Sequence, residues 1–290
     1  MARRSPSSPT SARPRGSASS PGPTSPRWSE VRRLLAAVVG LAAVLTTATT
    51  APAAPAAAPE KAAAERPAVV GKRVLGTSVE GRDIVAWHLG EPGGPGVPTV
   101  VLISTMHGDE PATRHILRSL RDGDPVVGVD LWVVPTYNPD GLAAGTRRNA
   151  RGVDLNRNYP YRWADLDGRY ESGPKAASEP ETKAMMAFLD DVRPDRLLSF
   201  HQPLHGVDTD TKRPRFARTV ARHLGLPRKT FDCGGVCHGT MTGWFNDRFA
   251  GAAVTVEYGA KPSRRRLRTV VPDQVLAVFD AYRAHLDWES

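Results

Sequence analysis

The chain has 290 residues, 40% hydrophobic and 24% charged, which suits one or two ordinary domains with a substantial core and excludes a disulfide miniprotein or a coiled coil. The formal net charge of +9 is unevenly placed: Arg3, Arg4, Arg13, Arg15, Arg27, Arg32 and Arg33 face the single acid Glu30, so six of the nine charges precede residue 34. The rest carries only +3, so the basic balance is no footprint of nucleic-acid binding, and no nucleic-acid partner is expected.

Residues 1–57 read as an N-terminal export signal. Leu34 to Leu45 is an apolar run of twelve, too short to span a bilayer comfortably, preceded by arginine and followed by A-x-A patterns at Ala51 to Ala53 and Ala54 to Ala56. A secreted or extracytoplasmic protein follows, with no stable membrane partner once the signal is cleaved; an uncut run would instead remain as a single anchor. Arg32-Arg33 matches twin-arginine export only loosely. Residues 58–69 read as a linker, and 70–290 as one folded domain.

Within that domain, Lys72 to Gly76 and Asp83 to Leu89 predict a hairpin, and the β-branched run Thr99 to Thr105 a buried strand. A helix is expected from Glu110 to about Arg121 and a strand from Asp130 to Pro135, followed by a long loop. Next come a helix from Pro180 to Val192 with Met185, Phe188 and Leu189 on one side, a strand from Arg196 to Phe200 and a helix from Arg215 to Leu224. A buried strand Ala252 to Val256 and a closing amphipathic helix Gln274 to Leu286 complete the pattern. Alternating strands and helices indicate an α/β sheet. Asn138-Pro139-Asp140-Gly141 has the composition of a turn. Cys233 and Cys237 are the only cysteines, and an oxidising exterior favours a disulfide between them; a zinc role would need a second ligand pair, and only His238 is adjacent.

Polar chemistry gathers at strand ends, where open α/β sheets carry their sites. His107 and Glu110 stand three apart just after a buried strand, and His201 follows another. Two histidines and a glutamate make the set of three protein ligands that a catalytic zinc uses while keeping one position open. His205, four residues on, is the weaker choice of ligand. Glu257 ends the strand Ala252 to Val256, where it is either a solvated strand end or a group that takes a proton from water and hands it to a leaving amine.

Taken in order, His107-Gly108-Asp109-Glu110, Asn138-Pro139-Asp140-Gly141, the segment Arg147 to Asn158 reading RRNARGVDLNRN, His201 and Glu257 closely resemble the M14 family of zinc carboxypeptidases. The resemblance spans about Val70 to Arg283. It implies a single-domain α/β fold with a mixed, mostly parallel sheet flanked by helices on both sides. It also implies one zinc per chain held by His107, Glu110 and His201, with Glu257 as general base. By the same resemblance Arg147 polarises the scissile carbonyl, Asn156 and Arg157 grip the substrate's terminal carboxylate, and Asp154 orients His107. A planar guanidinium takes a carboxylate bidentately, as a lysine cannot.

The segment Cys233 to Thr240 lacks the tyrosine that digestive carboxypeptidases place there; His238 is a candidate substitute, and Thr242 falls near the floor of the side-chain pocket. Neither digestive preference is supported. These departures, the short chain and His201-Gln202-Pro203-Leu204 look more like the bacterial murein peptide amidase branch, whose members cut the γ-D-glutamyl bond to diaminopimelate. The expected partner is thus a peptide or muropeptide with a free carboxylate. A general peptide carboxypeptidase, an aspartoacylase-like deacylase of N-acyl amino acids, and a non-catalytic binding protein are the alternatives. The run Arg264, Arg265, Arg266, Arg268 reads as a solvated face or a contact for an anionic envelope polymer.

Overall fold

The computed structural model describes residues 66–284 except Asp232 and Gly234. The expected export signal, most of the expected linker and the last two residues of the expected closing helix lie outside the described residues. Among the described residues no helix is long and apolar enough to cross a membrane.

The predicted hairpin forms as β1 (Val69–Thr77) and β2 (Asp83–Gly90), paired antiparallel. The apolar run after it is β3 (Thr99–Ser104), all but its first residue buried. It leads into α1 (Arg114–Arg121), followed by β4 (Val126–Val127), β5 (Asp130–Val134) and α2 (Pro139–Ala144). A long loop holding two short 3-10 turns, Leu155–Arg157 and Gly168–Tyr170, precedes α3 (Pro180–Val192). The remainder is β6 (Arg196–His201), β7 (Leu204–Asp208), α4 (Pro214–Leu224), β8 (Arg228–Lys229), α5 (Met241–Arg248), β9 (Ala252–Gly259), α6 (Arg264–Thr269), α7 (Val271–Ala277) and β10 (Tyr282–Arg283).

Eight strands make one sheet in the order β1-β2-β5-β3-β6-β9-β7-β8. Its centre, β5-β3-β6-β9, is parallel throughout, and antiparallel pairs flank it. Strands buried on both faces are mostly apolar, as in the Val100 to Ile103 run of β3 and in Leu197, Leu198 and Phe200 of β6. One core packs Val100, Leu102, Leu198 and Val256 against α1, α4, α6 and α7; the other packs Val101, Ile103, Leu197 and Ala253 against α3 and α5. The expected α/β architecture with helices on both faces is therefore the observed one. β4 and β10 form a separate two-stranded pair.

Several boundaries differ from expectation, each for a physical reason. The first helix begins at Arg114, not Glu110: Glu110 precedes Pro111, whose ring excludes the helical conformation from the residue before it, and the chain turns through His107 to Thr113 first. Glu257 does not end its strand, because β7 pairs antiparallel with β9 and carries it on to Gly259. The closing helix stops at Ala277: Asp280 adopts a left-handed φ of 57°, the Ala281 N–H reaches back to the Leu276 carbonyl, and the chain reverses into β10. The arginine run is helical, as α6.

The Asn138 to Gly141 segment is structural, as its composition suggests, but it does more than turn the chain. The Asn138 side chain caps α2 by accepting the Gly141 N–H at 2.9 Å, and donates to the Met106 carbonyl at 3.2 Å. A Cβ on Gly108 would meet the Gly141 carbonyl carbon at 1.9 Å, so the two backbones touch where only glycine fits. This contact, with a left-handed Thr105 (φ 56°) just after β3, turns the His107 loop back over the sheet.

Candidate active site

The four parallel central strands end on one side of the sheet, and His107, His201 and Glu257 all lie there. His201 is the last residue of β6 and sits in register with Glu257 on β9. One donor atom from each of His107, Glu110 and His201 lies within 4.8 Å of the others, and all three residues are buried. His107 Nδ1 is 2.7 Å from Glu110 Oε1 and 3.3 Å from His201 Nδ1, which in turn is 3.0 Å from Glu110 Oε2. A tetrahedral zinc with ligand bonds of roughly 2.0–2.1 Å needs donor separations of about 3.3 Å, so the set fits such an ion with slight outward relaxation.

The outward-facing ring nitrogens strengthen that fit. His107 Nε2 lies 3.0 Å from Asp154 Oδ1, and His201 Nε2 lies 2.9 Å from Ser199 Oγ. With the remote nitrogens held in this way, both Nδ1 lone pairs turn toward one point. Burial alone would lower the His107 pKa, but the charges of Asp154 and Glu110 outweigh it and raise it to about 9. Burial opposes ionisation of Glu110 and Asp154 too, yet His107 and His201 hold Glu110, and His107 with Arg147 holds Asp154, well below the ordinary carboxylate range. Two carboxylates that stay ionised around two imidazoles form a site for a cation.

Asp154 is tied into this arrangement on both oxygens. Oδ1 also accepts the Asn156 N–H at 2.9 Å, and Oδ2 takes Arg147 Nε at 2.9 Å and a second guanidinium nitrogen at 2.8 Å. Arg147 is thereby swung against the centre, its other terminal nitrogen 3.2 Å from His107 Nδ1. Asn156 Oδ1 accepts the Met241 N–H at 3.0 Å, which fixes the amide with its NH2 as the free end. Arg157 is buried, bonds to the Asn156 carbonyl at 2.7 Å, and is pressed from behind by the loop at Gly239, where a Cβ would meet the Arg157 carbonyl oxygen at 2.1 Å.

Glu257 is buried and accepts the Leu204 N–H at 3.1 Å. Burial raises its pKa above the ordinary carboxylate value, and the Glu110 charge adds to that while His201 opposes it. A carboxylate tuned upward beside a ligand set is suited to accept and return a proton near neutral pH.

His107, Glu110, Arg147, Asn156, Arg157, His201 and Glu257 all line one cleft of about 530 Å³. Thr242 lies in its wall, its hydroxyl 3.4 Å from that of Thr255, which shares a strand face with Glu257 two residues on. Cys233 and Cys237 are disulfide-bonded with Cα atoms 5.3 Å apart, and both line the cleft. His205 is outside the ligand group, and His238 binds the Arg162 carbonyl at 2.6 Å and does not line the cleft. The tyrosines that do line it come from elsewhere: Tyr161 and Tyr170, the latter with its ring 4.8 Å from the Arg157 guanidinium and 5.6 Å from that of Arg147. Sequence reasoning missed both, and missed Ser199, although Ser199 stands two before His201 and so on the same strand face. It also missed Asp208 in the cleft wall, whose carboxyl burial pushes up to about 6 against the pull of the Asp210 and Phe231 N–H groups.

This is the ligand set and cleft of a metallopeptidase on an α/β sheet. The family model of zinc carboxypeptidases (M14) matches residues 57–206, half of the chain, and the chain belongs to that family. The match ends before Glu257, so the placement of that residue rests on the strand register. Murein peptide amidase A of Escherichia coli K12 is 34% identical over 145 residues, 45% of this chain and 59% of that protein; the chain thus matches under two thirds of its curated relative's length. Mouse carboxypeptidase D is 29% identical over 216 residues, 59% of this chain and 15% of that protein. Among solved structures, murein-tripeptide amidase from Escherichia coli O157 superposes with a TM-score of 0.59 at 27% identity, covering 77% of this chain and 97% of that one. Carboxypeptidase A from Helicoverpa armigera shares the fold, with a TM-score of 0.61 at 19% identity over 75% of this chain and 69% of that one.

Proposed function

We propose that the chain is an exported zinc-dependent hydrolase that cleaves an amide bond next to a free terminal carboxylate, and that its substrate is a cell-wall muropeptide. The observation that carries the hydrolase reading is the His107, Glu110 and His201 group facing Glu257 across the β6–β9 pair, in a cleft that also holds Arg147 and Arg157.

His107, Glu110 and His201 would hold the zinc, which when bound supplies Lewis-acid chemistry at the scissile carbonyl and acidifies water. The chain's own groups do the rest. Arg157 and the free amide of Asn156 receive the terminal carboxylate and set the register of the substrate. Arg147 donates to the carbonyl oxygen as negative charge develops on it. Glu257 takes the proton of the attacking water and passes it to the leaving amine.

Part of the cleft lining supports the muropeptide reading. Thr242, Thr255, Asn246, Asp208 and Lys212 make it polar and of both charge signs. That suits a side chain ending in an ammonium and a carboxylate, as in diaminopimelate, better than an apolar or a purely basic one. The two murein amidase relatives agree with this choice, and the apolar run at residues 34–45 supports export.

Incubating purified protein with L-alanyl-γ-D-glutamyl-diaminopimelate, with ordinary peptides and with N-acyl amino acids separates the readings by mass spectrometry of products. Release of diaminopimelate is expected. Release only of ordinary C-terminal residues would make the protein a general carboxypeptidase, and deacylation alone would move it to the aspartoacylase-like class.

A further inference from the structure

Away from the cleft, α1 and α6 lie side by side and carry arginines in matched rows. Arg264 Nε donates to His115 Nε2 at 2.9 Å, and Ser119 Oγ donates to the Arg268 carbonyl at 2.6 Å. These bonds join positions four apart on each helix, so the helices run parallel and in register. Arg114 and Arg118, each one residue before a contact position on α1, flank this seam close enough to feel the charges of Arg264 and Arg268 on α6, one helical turn between levels.

The nearby carboxylates are bonded elsewhere: Asp122 is held by Arg66 and Arg121 and reaches Arg118 only through space, and Asp273 is held by Arg283. The Nε atoms of Arg114 and Arg118 are buried without a hydrogen-bond partner. Burial and the surrounding guanidiniums together push His115 down to about 4, so it is a neutral acceptor and adds no positive charge. Burial and mutual repulsion also lower the pKa of Arg114 and Arg118. Beside the rows opens a hollow of about 410 Å³ whose lining holds four arginines, Arg118, Arg121, Arg268 and Arg283, against the one acid Asp122.

Arg264 and Arg268 are exposed, but crowding them against the half-buried Arg114 and Arg118, whose Nε donors are idle, is costly unless something supplies acceptors and negative charge. We infer that the facing arginine rows of α1 and α6 form a second binding site, for successive phosphates of a linear phosphate polymer. A planar guanidinium fork matches phosphate oxygens bidentately. A single carboxylate offers one charge to four cations, whereas a phosphate chain offers a charge and several acceptor oxygens at each level. Inorganic polyphosphate and polyol-phosphate polymers share this chemistry. None of the four arginines lines the catalytic cleft, so the inference stands apart from the proposed activity.

The test measures binding of labelled inorganic polyphosphate and of a glycerol-phosphate oligomer to the full chain by fluorescence anisotropy across a salt series, with a DNA duplex for comparison. Wild-type protein should bind one or both phosphate polymers, and which one binds identifies the source. An Arg118→Gln/Arg268→Gln variant should bind at least about tenfold more weakly with a salt slope smaller by about 2, its peptide hydrolysis unchanged. Melting gives a second readout: without polymer the variant should melt above the wild type, because repulsion is relieved, and the polymer should raise the melting temperature of the wild type alone. Equal binding by both proteins, no wild-type binding at low salt, or tighter binding of the duplex than of either polymer would overturn the inference.

Discussion

A Glu257→Gln variant is expected to keep the fold and the metal and to lose about 10²–10⁴-fold in kcat. Glutamine has nearly the shape of glutamate, and its carbonyl oxygen can accept the Leu204 N–H that Glu257 Oε2 takes at 3.1 Å, so the β7–β9 junction needs no rearrangement. Glu257 lies outside the buried His107, Glu110 and His201 group, so zinc content should match the wild type. What the amide cannot do is accept a proton from water. Steady-state kinetics on the tripeptide, with metal content measured on the same samples, checks both halves; undiminished turnover would remove Glu257 from the role of base.

Replacing Arg147 is expected to lower kcat by about 10²–10³-fold, equivalent to about 2.7–4 kcal/mol, the range for loss of a donor to a developing oxyanion. Alanine alone is an ambiguous test, because Arg147 also neutralises Asp154 at 2.8 Å and Asp154 orients His107. Arg147→Lys resolves it: the lysine keeps a positive charge near Asp154 but lacks the fork that reaches Asp154 and the centre together. Zinc affinity and KM should stay close to wild type while kcat remains low. By contrast Arg157→Ala should act mainly on KM, since that residue is assigned to the substrate's carboxylate. Full kcat in Arg147→Lys would contradict the assignment.

The His107, Glu110 and His201 group was readable from the sequence because its residues come at or just after the ends of two recognisable buried strands, β3 and β6. Glu257 was readable for the same reason. The rest depends on long-range contacts that leave little local trace. Tyr170 reaches Arg157 from a loop with no hydrophobic period, and β7 has two residues exposed at its start and two buried after them, a pattern that signals no strand. α5 carries a glycine and four polar residues in eight, and only its packing of Met241, Trp244 and Phe245 reveals it. The closing helix failed in the opposite sense: Val275, Leu276 and Phe279 have helical spacing, but the left-handed turn at Asp280 breaks the element that the spacing suggests. The arginine run of α6 looked like an ordinary solvated face because the facing row on α1 is about 150 residues away in sequence.

The account depends above all on one metal ion at His107, Glu110 and His201. The most direct measurement is zinc content per chain of the purified wild type and of His201→Ala, together with tripeptide hydrolysis before and after chelation and zinc replacement. The account predicts one zinc per wild-type chain, much less in His201→Ala, and activity lost with the chelator and restored by zinc; a folded wild-type protein that hydrolyses the tripeptide equally well after complete metal removal would contradict it.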